Sequence, residues 1–225
     1  DGLEDVVVGS NKGRFWGVLY NNGNGGLTEP EYYSIDFPLI GINCGNLNED
    51  NRQDVIASGQ YVDIFYSYDS GFQADSLTET AYYSIITDLD FDGDNDIICT
   101  SPVSFEGHIS VSMYENQGEN VFAEKDSFIE KFSAEVLFCD MNNDNLKDIV
   151  HAMVNVKIMF YKGSYEFTSP VLAGSTDYEP YHCHACNADF DGNGYHDIAI
   201  VRNFWGEENE PNLTVLFNDS TGHMV

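Results

Sequence analysis

The sequence predicts an all-β fold in which four-stranded antiparallel sheets repeat about five times and are set radially as a β-propeller. Three observations lead there. A nine-residue acidic loop recurs along the chain, an apolar strand ending in an aromatic recurs in phase with it, and no helical periodicity is sustained anywhere.

The loop comes first in each repeat. Four copies are complete: Asn46 to Asp54, Asp88 to Asp96, Asp140 to Asp148 and Asp189 to Asp197, each followed by an aliphatic or β-branched run. A partial copy, Asp1-Gly2-Leu3-Glu4-Asp5, precedes Val6-Val7-Val8. The closing aspartates Asp5, Asp54, Asp96, Asp148 and Asp197 are 49, 42, 52 and 49 residues apart, a period typical of stacked supersecondary units.

Oxygen side chains at loop positions 1, 3, 5 and 9, with the carbonyl of position 7, are what a hard divalent cation takes from one tight loop. The expected ligands are Asn46, Asn48, Asp50 and Asp54 with the carbonyl of Arg52, and Asp88, Asp90, Asp92 and Asp96 with that of Asp94. The other two sets are Asp140, Asn142, Asp144 and Asp148 with the carbonyl of Leu146, and Asp189, Asp191, Asn193 and Asp197 with that of Tyr195. Four structural Ca²⁺ ions are expected. The loops supply 2, 4, 3 and 3 ligand carboxylates in chain order, so the Asp88 loop should bind tightest and the Asn46 loop weakest.

The remaining elements follow from the fourth repeat. Strand A is expected at Glu135 to Cys139, strand B at Asp148 to Val154, strand C at Val156 to Tyr161 and strand D at Phe167 to Leu172. Glycine and asparagine after strand C, as in Asn21-Asn22-Gly23 and Asn116-Gln117-Gly118, are hairpin chemistry. The repeats lie near 1–38, 39–80, 81–131, 132–178 and 179–225 of a single domain. Leu27-Thr28-Glu29 through Tyr32-Tyr33-Ser34 resembles Leu77-Thr78-Glu79 through Tyr82-Tyr83-Ser84, which places the shortening of the 42-residue repeat in the connection between sheets. A solenoid of the same units is the alternative architecture.

The loop D-x-[DN]-x-[DN]-G-x-x-D before aliphatics, with a later strand ending in N-x-G-x-G, resembles the FG-GAP/VCBS repeat family across essentially the whole chain. The resemblance implies the calcium-binding blades of integrin α-chains and of many secreted bacterial proteins. It does not imply one activity, because the family holds adhesins, lectin-like modules and propeller-shaped polysaccharide lyases. The Asn46 loop departs from the pattern, with two ligand carboxylates and no glycine at position 6.

Composition fits an extracellular setting, secreted or at the cell surface. The chain has 38 acidic and 9 basic residues and a formal net charge of −29. Four Ca²⁺ leave about −21, a field that repels phosphate backbones and anionic membranes and excludes nucleic acid as a partner. No apolar run approaches the roughly 18 residues that span a bilayer. Residue 1 falls inside a metal loop, so a piece of a longer protein is the expectation.

Cys44, Cys99, Cys139, Cys183 and Cys186 read as small hydrophobes in or beside strands. His182, His184 and Cys186 share one strand face, which raises a transition-metal reading; Cys183 and Cys186 point to opposite faces, against a disulfide. Asn212 and Asn218 head sequons. Trp16 and Trp205 are expected just before strand C, and Tyr32-Tyr33 and Tyr82-Tyr83 as equivalent pairs that pack between sheets or stack sugar rings.

The carboxylates are absorbed by the loops, and no nucleophile motif such as G-x-S-x-G is present. The expected function is a calcium-stabilised binding or adhesion module for a glycan or protein. A calcium-assisted polysaccharide lyase and a structural spacer are the alternatives. Eighteen of the twenty strands of five complete blades are accounted for, which leads to the expectation that further blades, from the parent chain or a neighbouring chain, complete a six- to eight-bladed ring.

Overall fold

The fold was analysed in a computed structural model, which describes residues 2–77, 80–104, 108–130, 135–152, 155–175, 182–203, 213–220 and 224. All regular structure among these residues is β, so the all-β expectation holds. No helix among them is long and apolar enough to cross a membrane.

Five antiparallel meanders follow one another. The first is β1 (Val6–Ser10), β2 (Phe15–Leu19) and β3 (Glu31–Ser34). The second is β4 (Gly41–Gly45), β5 (Asp54–Ser58), β6 (Val62–Tyr68) and β7 (Gly71–Leu77), and the third β8 (Tyr83–Thr87), β9 (Asp96–Ser104), β10 (His108–Asn116) and β11 (Phe122–Glu130). The fourth is β12 (Glu135–Cys139), β13 (Asp148–Ala152), β14 (Asn155–Met159) and β15 (Val171–Ser175); the fifth is β16 (His182–Ala188), β17 (Asp197–Asn203) and β18 (Leu213–Leu216). Asp54, Asp96, Asp148 and Asp197 each open the second strand of a sheet, as the repeat predicts.

The chain divides into two compact units, Asp1–Glu130 and Lys131–Val225. In the first, sheets pack face to face through alternate side chains of the same strand. Val55 and Ala57 of β5 meet Trp16, Val18 and Phe37, while Ile56, with Leu47 and Ile64, meets Ile97, Cys99 and Tyr114 of the third sheet. Because β5 is buried on both faces, it reads in sequence as an unbroken apolar run rather than an alternation. In the second unit, Met141, Val150, Val156 and Ile158 pack against Ile198, Ile200, Leu216 and Met224.

Five expectations need correction. The fourth strand of the fourth sheet starts at Val171, not Phe167. Phe167 lies outside the strand, in an isolated bridge to Tyr161, and Pro170 has no N–H to give a ladder, so pairing resumes after it. The third strand of that sheet ends at Met159, because the N–H of Tyr161 turns inward to the Asp148 carboxylate.

The shortening of the second repeat lies within the sheet, not between sheets. Asp69 and Ser70 alone join β6 to β7, with Gly71 at φ 108°, where the first sheet spends residues 20–30 on the same hairpin. The tyrosine pairs are therefore not equivalent: Tyr32-Tyr33 lie in the last strand of their sheet, whereas Tyr83 opens the first strand of its own. Trp16 sits inside β2 rather than before it. It is fully buried, stacked on Tyr33 at 4.5 Å and edged by Phe65 and Phe72, so it is core and no sugar platform. Trp205 and Asn212 lie outside the described residues.

His151, on β13 opposite Lys157, is buried, and burial followed by the Lys157 charge lowers its pKa to about 4. A folded pKa below the ordinary value of about 6.5 gives stability that is complete above that pH and lost as pH falls toward 4. Between pH 7 and pH 5 this one group should remove about 2 kcal/mol of unfolding free energy. His151→Phe should flatten that slope in urea titrations; an unchanged slope would show that His151 is charged in the fold.

Candidate metal centre

Each complete loop is built by its own oxygens on its own backbone. Position 5 accepts the N–H of position 7 in all four: Asp50 from Arg52, Asp92 from Asp94, Asp144 from Leu146 and Asn193 from Tyr195. Position 3 accepts the N–H of position 5, through Asn48, Asp90, Asn142 and Asp191. Successive Asx turns curl the chain so that alternate side chains face inward.

The curl requires left-handed backbone at positions 4 and 6, and all four loops have it. Glu49 and Asn51, Phe91 and Gly93, Asn143 and Asn145, and Gly192 and Gly194 lie at φ between 60° and 105°. The motif marks glycine at position 6 only. Position 4 is occupied by Glu, Phe, Asn and Gly, too varied a set to show that it needs the same conformation.

The closing aspartate does most to hold the loop to its sheet. Asp54 accepts the N–H of Leu47 at 2.7 Å and of Ser67 at 2.8 Å, one on each oxygen. Asp96 does the same with Leu89 and Asn116, Asp148 with Met141 and Tyr161, and Asp197 with Phe190 and Asn218, all at 2.8–2.9 Å. Asp5 keeps half of the clasp, accepting the N–H of Asn21 at 2.7 Å. All four closing aspartates of the complete loops are buried. Burial raises the Asp148 pKa to about 6 against the lowering effect of its two backbone donors, with the charges of Asp144 and Asp140 adding to the rise. Asp54 is shifted in the same direction, again chiefly by burial.

Three carboxylates converge in two of the four loops. Asp88, Asp90 and Asp96 place one oxygen each within 4.8 Å of one another, and so do Asp189, Asp191 and Asp197. Asp92 and Asn193 stay on their position-7 N–H groups. In the third loop Asp140 accepts from the N–H groups of Asp144 and Asn145, much as Asp88 does from Phe91 and Gly93; position 3 there is Asn142, so positions 1, 3 and 9 do not offer three carboxylates. In the Asn46 loop the observation is of another kind: the Asn46 side-chain oxygen at position 1 is buried and accepts no hydrogen bond. A buried acceptor without a donor calls for a cation or water. The residues present fit a Ca²⁺ ion at Asp88 and Asp189, where three carboxylates face one another.

Neighbouring loops also touch. Asn95 donates to the Asn46 carbonyl at 2.8 Å and Asn143 to the Gly194 carbonyl at 2.8 Å. Asp94 presses its charge and a hydrogen bond on Glu49, raising that carboxyl's pKa. A second link comes from Asn116, whose amide donates to the carbonyls of Leu47 and Asn95, and from Asn218, which does the same to Met141 and His196. These asparagines are more than turn formers: they bracket one loop to the next. The signal was in view as the recurring asparagine after strand C, but only the contact across sheets reveals the role.

Neither His184 nor Cys186 is part of a gathered ligand group. Among the described residues, the groups near enough to share an ion are all aspartate. Cys186 is a free thiol, exposed, as is Cys44, so the expectation of buried cysteines holds for Cys99 and Cys139 only. The side chains of His182 and Cys183 lie outside the described residues.

One cleft opens beside the loops of the first unit. It encloses about 1260 Å³ between the first two sheets, lined by Tyr20, Tyr33, Tyr68, Phe72, Arg52 and Asp69 among others. Arg52 is paired with Asp69 across it. Neither the family models nor the curated proteins compared with the chain give a match.

The double clasp separates two roles that the loop pattern merges. Asp90→Ala should lower the melting temperature in calcium and change little in chelator. Asp148→Ala leaves two buried N–H groups without an acceptor, and should cost about 2–4 kcal/mol in both media. If the Asp148 loss vanished in chelator, its carboxylate would be acting through an ion alone.

Proposed function

We propose that the chain is a calcium-stabilised β-propeller module of the FG-GAP/VCBS type, working outside the cell as a binding or adhesion module. The observation that carries this reading is the common geometry of four loops: left-handed positions 4 and 6, a buried closing aspartate, and oxygens gathered at Asp88, Asp90 and Asp96 and at Asp189, Asp191 and Asp197. Ca²⁺ supplies charge neutralisation where several carboxylates face one another. The protein's own part is to orient Asp88, Asp90 and Asp96 through backbone donors, and to keep position 2 apolar and buried at Leu47, Leu89 and Met141.

The ligand class that fits the cleft is a glycan. Tyr20, Tyr33, Tyr68 and Phe72 offer ring faces and hydroxyls, while Glu31, Asp69 and Arg52 offer the hydrogen-bonding groups that polyhydroxylated rings use. The acidic surface makes that glycan neutral or cationic, and argues against nucleic acid or anionic membrane as a partner. The cleft lies beside the Asn46 loop, from which Asn51, Arg52 and Gln53 contribute to its wall. Ordering that loop with calcium therefore orders part of the ligand site.

Calorimetric titration should show Ca²⁺ filling the Asp88 loop first and the Asn46 loop last, with each site stabilising by about 2.7 kcal/mol at a hundredfold excess over its Kd. On a glycan array in calcium, Tyr68→Ala should lose binding at least tenfold while its melting temperature stays near that of the native chain. Unchanged binding by that variant would remove the cleft from the reading.

A further inference from the structure

Each contact between neighbouring sheets has a direction. The sheet that follows presents a front, and the sheet that precedes presents a back. In the first unit, the third sheet's front (Ile97, Cys99, Tyr114) covers the second sheet's back (Leu47, Ile56, Ile64), and the Asn116 amide brackets the two through the Leu47 carbonyl. In the second unit the fifth sheet's front (Ile198, Ile200, Leu216) covers the fourth sheet's back (Met141, Val150, Ile158), with Asn218 reaching the Met141 carbonyl.

Two faces of the same kind stay open. The strand registers carry the front positions onto the first sheet, where Val6 pairs Leu19 as Ile97 pairs Tyr114. Val6 is 41 % exposed where its counterpart Ile97 is 0 %, and Val8 and Leu27 are exposed as well. Asn21 is the counterpart of Asn116: its N–H donates to Asp5 and its amide to the Glu4 carbonyl, as Asn116 does to Asp96 and Asn95. Among the described residues the amide makes that one bond, while Asn116 and Asn218 each make a second across to a preceding loop.

The fifth sheet offers the matching back. Phe190, at loop position 2, is 48 % exposed where Leu47 is 1 % and Met141 0 %. Val201, Leu213 and Phe217 are exposed on the same face, at positions of the repeat where Ser58, Val62 and Tyr66 are buried in the second sheet. Both open faces are apolar, and each has the form that the internal contacts show its opposite to need.

We propose that the front of the first sheet of one copy docks on the back of the fifth sheet of a second copy, repeating the internal contact between copies. Val6, Val8 and Leu27 cover Phe190, Val201 and Leu213, and Asn21 donates its remaining amide hydrogen to the Phe190 carbonyl. Such a contact is heterologous and propagates head to tail until it closes. The net charge of −29 opposes it, so association strengthens with calcium and with salt.

The test is sedimentation velocity in calcium and about 0.15 M salt, using two blocked variants of the full chain. Val6→Lys/Val8→Lys blocks the front, and Val201→Lys/Leu213→Lys blocks the back. The native chain should form concentration-dependent oligomers, each variant alone should be a monomer, and their equimolar mixture should stop at a dimer. Asn21→Ala, which adds no charge, should weaken association roughly tenfold with the fold intact. A native chain that is monomeric at every concentration, a mixture that stays monomeric, or a blocked variant that assembles like the native chain would each overturn the proposal. A monomer whose two faces cover each other within one chain is among those outcomes.

Discussion

The structure depends on a carboxylate buried with both oxygens occupied by backbone N–H groups. In each complete repeat the closing aspartate ties the residue at loop position 2 to a residue at or just past the end of the third strand, fixing where the loop sits on its sheet. A neutral side chain of the same shape would supply at most one acceptor to those two donors. Burying the charge is unfavourable, and the raised pKa of Asp148 and Asp54 shows burial outweighing the donors. A nearby cation shifts the balance back toward the ionised form. A bound ion would couple fold and metal through this one group, which answers to the backbone on two sides.

Position 2 shows how the clasp reaches the core. Its N–H is held by the aspartate, so its side chain must point away from the loop, toward the next sheet. Leu47 and Met141, each packed against the following sheet of its own unit, are buried to within 1 % of completely. The acidic loop and the apolar contact between sheets are thus set by a single peptide group, and a change in loop curl moves a core residue. An ion held by the loop, as proposed, would thereby act on packing without touching the core.

Much of this was legible in the sequence, and what was missed has physical causes. The position of every second strand could be read, because an aspartate at its first residue and an aliphatic run after it are dictated locally. The hairpin that shortens the second repeat could not: Leu27-Thr28-Glu29 and Leu77-Thr78-Glu79 look alike as letters, yet after a two-residue turn at Asp69-Ser70 Leu77 ends the last strand of its sheet, whereas Leu27 lies before β3 in a bridge to Asn21. The ligand oxygens were legible as a set but not as an arrangement. Asp88, Asp140 and Asp189 all turn to backbone N–H groups of their own loops, an arrangement set by loop curl that residue type leaves open. The bracketing role of Asn116 was hidden because the same asparagine satisfies a turn, through its oxygen on the Gly118 N–H, and a contact 69 residues away, through its amide on Leu47.

The bracket also accounts for where the first unit opens. Its third sheet carries Asn116 and is stitched to the second at the loop end. The second sheet has Ser67 at that place, with no amide to reach the loop of the first. The first two sheets are held instead by aromatics deeper in the interface, Trp16 with Tyr33, Phe65 and Phe72. Fastened in its interior and not at its loop end, that interface parts into the cleft lined by Ser67, Tyr68 and Arg52. A departure from the repeat rule thus coincides with a concave site, as expected where a chain gives up local consistency for a surface that binds. Restoring asparagine at position 67 would test this: the added amide should draw the two loop ends together and narrow the cleft, raising stability while weakening any ligand held there.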